Sequence, residues 1–189
     1  MIRAAEERRK TVKAKKNIVM LCIMGILIAL EIVLANYATV HTWDIKIGFS
    51  FVPIVAAAAL YGPIAGGLVS AIGDVISAML FPVGPFFPGF TVTAFLTGAV
   101  FGLFLYKKES ALNAVLSVLV TQAVISQFIN TYFISVLYGN PYWPLFVTRL
   151  AQTAAMSAVQ LVFVLLMSKK LIPVLKKRFN IQAKSYQSM

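Results

Sequence analysis

The chain has 189 residues; 60% are hydrophobic, 12% are charged, and the formal net charge is +11. Soluble domains carry about twice that charge fraction, so this composition excludes a water-soluble globule and indicates an integral membrane protein. The 17 basic residues gather at the two ends and in one short loop, which argues against a nucleic-acid-binding face.

Residues 1–16 form a basic N-terminal tail with Arg3, Arg8, Arg9, Lys10, Lys13, Lys15 and Lys16. The apolar run 17–40 follows. It is too long for a signal peptide and contains Glu31, so it reads as a retained first helix. A polar break, HTWDIKIG, occupies 41–48. The second span is expected over 47–61, with Pro53 early, where a missing N–H costs least. Gly62-Pro63 makes a turn. The third span, 63–80, is rich in Gly, Ala and Ser, which lets helix backbones approach closely. The run 81–98, FPVGPFFPGFTVTAFLTG, has three prolines, three glycines, five phenylalanines and no charge. Proline stops a helix and glycine opens forbidden dihedrals, so a rigid aromatic loop ends one span there and the fourth, 91–106, begins. Either it walls a small-molecule pocket or it is a stiff connector at the lipid interface. Lys107 and Lys108 close span four. Span five covers 111–137, the loop YGNPYWP covers 138–144, and span six covers 145–168. A basic C-terminal tail, 169–189, completes the chain.

The reading is therefore an all-α integral membrane protein, a bundle of six transmembrane helices over 17–168. With both termini in the cytoplasm, 15 of the 17 basic residues fall on the inner side, as the positive-inside rule asks. Only Lys46 and Arg149 fall outside.

That topology places polar side chains at one depth, near the outer surface. Glu31 and Asn36 lie late in span one, and Asp74 lies about 9 Å below the outer end of span three. Gln127 and Asn130 lie in span five; Arg149 and Gln152 open span six. Ionisable groups inside a membrane are costly and face a cavity or a partner. Trp43, Phe86, Phe87, Phe90 and Trp143 share the level. Concave sites with a few convergent polar groups take small organic molecules. The plainer alternatives are structural ion pairing for Glu31, Asp74 and Arg149, and an ordinary interfacial belt for the aromatics. Gly25 and Ala29, four apart on span one, favour close helix contact, within the bundle or with another membrane protein.

Catalytic patterns are missing from the sequence. It has no P-loop, H-E-x-x-H or G-x-S-x-G pattern. His41 is the sole histidine and Cys22 the sole cysteine, so no His/Cys metal pattern and no internal disulfide exists. An ATP-driven role would need a partner to hydrolyse ATP.

The stretch 48–108 resembles the folate-family S component of energy-coupling factor (ECF) transporters. The resemblance rests on Phe51-x-Pro53, Tyr61-Gly62-Pro63, Ile72-Gly73-Asp74 and the run from Phe81 to Gly98. It implies a non-catalytic vitamin-capturing subunit of the bacterial cell membrane, working with a T component and two ATPase subunits and needing no cofactor. It further implies an outward-facing site drawn from Asn36, Trp43, Lys46, Asp74, Phe86, Phe87, Phe90, Thr91, Gln127, Asn130, Trp143, Arg149 and Gln152. A docking motif is implied at Gly25 and Ala29. Many folate members carry a basic residue near the outer end of span one, where Asn36 or a neighbour stands here. Riboflavin, thiamine, pantothenate or a deazapurine therefore remain alternative cargoes. A proton-coupled carrier using Glu31 and Asp74 is the alternative of another class.

Overall fold

The computed structural model describes residues 2–41, 46–82, 84–106, 110–175 and 177. Helix α1 spans Ile2–Asn36, so the basic N-terminal residues continue one helix with the first apolar run. At its end Asn36 Nδ2 donates to the Ile32 carbonyl one turn back at 2.8 Å. Strands β1 (Thr39–His41) and β2 (Lys46–Gly48) then pair antiparallel, Val40 opposite Ile47. Helix α2 is Phe51–Tyr61, α3 is Pro63–Leu80 and α4 is Pro88–Leu105. Helix α5 runs Ala111–Tyr138 and α6 runs Tyr142–Leu175. Within α5 the segment Val120–Asn130 is wound as a π-helix, and Met167–Leu171 does the same in α6.

Among the described residues five helices are long and apolar enough to cross a membrane: the Asn17–Asn36 part of α1, then α3, α4, α5 and α6. The expected second span differs. Residues 47–48 belong to β2, and α2 has only 11 residues, about 16 Å of helix at 1.5 Å per residue. His41 and residues 46–48 of the polar break thus belong to a small ribbon, the one departure from an all-helical fold among the described residues. Residues 39–40 leave the expected first span because Thr39 and Val40, both β-branched, suit an extended backbone.

Helix α2 forms the centre of the bundle. Val55, Ala57, Ala58 and Ala59 are fully buried, and Phe101, Leu105, Val118, Val164 and Ile172 pack into the same interior. Its end is abrupt. Gly62 sits at φ 96°, a region that L side chains avoid, and Pro63 opens α3 at a position needing no N–H. The outside is apolar instead: Leu21, Ile26, Leu103 and Leu112 are all exposed, as expected of a surface that meets lipid.

Candidate ligand-binding site

A cavity of about 610 Å³ opens where the end of α1, the start of α2, the second half of α3 and the 81–87 connection converge. Pro82 and Pro85 keep this connection from becoming helical. Phe87 is extended at φ −126°, ψ 115°, the conformation favoured before a proline, and Pro88 starts α4. This geometry turns Phe81, Phe86, Phe87 and Phe90 to the cavity wall. The Phe87 and Phe90 rings stand 5.8 Å apart, edge to face, and Phe133 supports both at 5.2 and 6.1 Å.

The polar side of the cavity is built by α1 and α3. Thr91 Oγ1 donates to Asp74 Oδ2 at 2.8 Å, and Asn36 Nδ2 donates to Ser77 Oγ at 3.2 Å. Glu31 and Ser70, at 6% and 2% exposure, also line it. Glu31 Oε2 has no hydrogen-bond partner among the described residues.

A second hollow, about 350 Å³, lies between α5, α6 and the start of α2. Gln122, Ser126 and Asn130 reach it from the π-wound part of α5, and Arg149, Gln152, Thr153 and Met156 from α6. Local π winding often accompanies functional sites. Asn130 Oδ1 accepts a bond from Thr93 Oγ1 at 2.7 Å. Arg149 Nε is buried without an acceptor among the described residues. Asp74 and Arg149 thus stand in separate hollows and form no ion pair among the described residues. Ser50, just before α2, lines both.

Residues 19–184 match the family described as ECF transporter, substrate-specific component. The chain belongs to this family. A folate transporter FolT from Clostridium novyi (strain NT) is 35% identical over 150 residues, covering 79% of this chain and 87% of that protein. A folate transporter FolT from Leuconostoc mesenteroides is 32% identical over 127 residues, covering 66% and 68% respectively. The crystal structure of FolT bound with folic acid superposes with a TM-score of 0.73 at 32% identity, covering 80% of this chain and 95% of that one.

In this S component, the expected residues separate into groups. Asn36, Asp74, Phe86, Phe87 and Phe90 line the larger cavity, and Thr91 reaches it through Asp74. Asn130, Arg149 and Gln152 line the smaller one. Gln127 lines neither. It is buried, donates to the Phe146 carbonyl at 2.7 Å and accepts from Thr153 at 2.6 Å, tying α5 to α6. Trp143 is 72% exposed and meets Tyr142 and Phe146 edge-on, away from both hollows. Trp43 and the side chain of Lys46 lie outside the described residues, as do Lys107 and Lys108. Gly25 and Ala29 face outward on α1, and a Cβ at residue 25 would meet nothing within 4 Å. Ser50, Ser70, Ser77, Gln122 and Thr153 line the hollows without having been expected. Small hydroxyls are common on membrane helices, and nothing in their spacing marks them.

Proposed function

We propose that this S component captures folate from outside the cell and delivers it inward with a T component and two ATPase subunits. In this reading six segments cross the bacterial cell membrane, α2 with its ribbon being the shortest, and both termini are cytoplasmic. The support is the basic-residue asymmetry, the ECF family and the folate-transporting relatives. The observation that carries the ligand assignment is the separation of Asp74 and Arg149 into two hollows that meet at Ser50.

Folate matches that division. Its pterin edge carries amino and ring N–H donors, suited to a carboxylate that accepts but does not donate. Its flat rings suit the walls formed by Phe86, Phe87 and Phe90. Its glutamate carboxylates suit a guanidinium fork, so Arg149, with Gln152 and Asn130, takes that end, and Lys46 assists at the mouth. Asn36 stays with the pterin side.

Titration of purified protein with folic acid and with pteroic acid, which lacks the glutamate, tests the assignment. Asp74→Asn is expected to weaken both ligands by about tenfold or more. Arg149→Ala is expected to weaken folic acid to a similar degree and leave pteroic acid near the parent value. Parent-like folic acid binding by both variants removes the assignment.

A further inference from the structure

Glu31 is a buried carboxyl with no task in the scheme above. It projects from α1 into the wall of the larger cavity, is 6% exposed, and its Oε2 lacks a hydrogen-bond partner among the described residues. A buried polar atom left unpaired costs about 1–3 kcal/mol, so a carboxyl held this way needs an account. Neighbouring α3 makes room for it. A Cβ at residue 73 would run into the Glu31 carboxyl, so the missing side chain of Gly73 is what lets Glu31 rest on the α3 backbone beside Asp74. Two carboxyls from two helices thereby border one cavity, one tied to Thr91 and the other with its Oε2 unpaired among the described residues.

We propose that Glu31 is a second ligand-recognising carboxyl, which accepts a hydrogen from the exocyclic amino group of the ring that Asp74 engages. The inference rests on the folate reading above. A 2-amino-4-oxopteridine presents three hydrogens along one edge, one on the ring nitrogen and two on the amino group. Asp74 has two oxygens and takes a pair of them side by side. The third points away from Asp74 and needs an acceptor of its own. The terminal torsion of a glutamate is soft, so the Glu31 carboxyl turns an oxygen toward the guest without moving its helix. The chemical class recognised is a flat heteroaromatic ring with an amino group next to a ring N–H.

The test compares folic acid with 2-deaminofolic acid, in which that amino group is replaced by hydrogen. The readout is the ratio of the two dissociation constants in the parent, Glu31→Ala and Glu31→Gln proteins. Loss of a contact to the amino group is expected to shrink the ratio by roughly tenfold in Glu31→Ala. Glu31→Gln keeps an acceptor and close to the native shape, and is expected to retain part of the discrimination. Gly73→Ala displaces the carboxyl without removing it and is expected to resemble Glu31→Ala. A purely structural Glu31 would weaken both ligands alike. An unchanged ratio in folded Glu31→Gln and Glu31→Ala overturns the inference and leaves the folate reading standing. Failure of the parent to bind folic acid overturns both.

Discussion

The 2.8 Å bond from Thr91 to Asp74 joins the only acid of α3 to the first turn of α4. It fixes the carboxylate before any ligand arrives, which lowers the ordering cost of binding. Thr91→Val keeps the shape and deletes the donor. It is expected to weaken folic acid binding by about three- to tenfold with little change in melting temperature, measured by titration and thermal unfolding of the purified protein. At this scale the sequence was informative where a side chain is expensive. Asp74 and Arg149 announce themselves because charge inside an apolar span has to be explained. Gln127 stood out for the same reason; a buried amide needs partners, and in the structure these are Thr153 and the Phe146 carbonyl. Trp143 is aromatic at the right depth, yet depth says nothing about which way an exposed ring faces.

Among the elements, α3 and α4 pack backbone to backbone. A Cβ at Gly66 would stand 2.6 Å from Ala58 Cβ and 2.7 Å from the Gly98 carbonyl, and one at Gly98 would strike the Gly66 carbonyl. This approach holds Thr91 within reach of Asp74. Gly98→Ala is therefore expected to destabilise the protein by about 1–3 kcal/mol, the usual cost of overpacking. Gly25→Ala, which meets open space, is expected to melt like the parent in detergent; equal melting of the two variants would contradict the packing described. The helix end at Tyr61-Gly62-Pro63 was readable from its proline and glycine, whereas α4 starts at Pro88, three residues before the expected 91, because proline fits the first helical turn. The paired strands Thr39–His41 and Lys46–Gly48 were not readable, because three-residue strands are too short to show a period of two. The π-wound stretch of α5 was also hidden, since its change of winding alters the hydrogen-bond register and leaves the apolar pattern almost untouched.

At the scale of the molecule, the polar lining and the outward faces divide the labour. Gly25 and Ala29 lie open on α1, the helix that continues into the basic N-terminal residues. Gly25→Leu and Ala29→Leu are expected to bind folic acid normally and to abolish uptake when expressed with a T component and ATPases. Parent-rate uptake would count against docking through this face. That several helices could cross a membrane was legible from apolar length, and five of the described helices are long and apolar enough to do so. The position of the cavity followed only loosely, because no pattern in one dimension says that two hollows share Ser50.

The shortness of α2 has a consequence for capacity. Its 11 residues fill about 16 Å of a hydrocarbon layer about 30 Å thick. Its companions run the full distance, so the middle of the bundle is plugged on one side and hollow on the other. The chamber is thus a missing length of rod, and Ser50 marks the cut. Room for cargo is thereby tied to where one helix begins, since Ser50 and Ile54 at that end line the larger cavity.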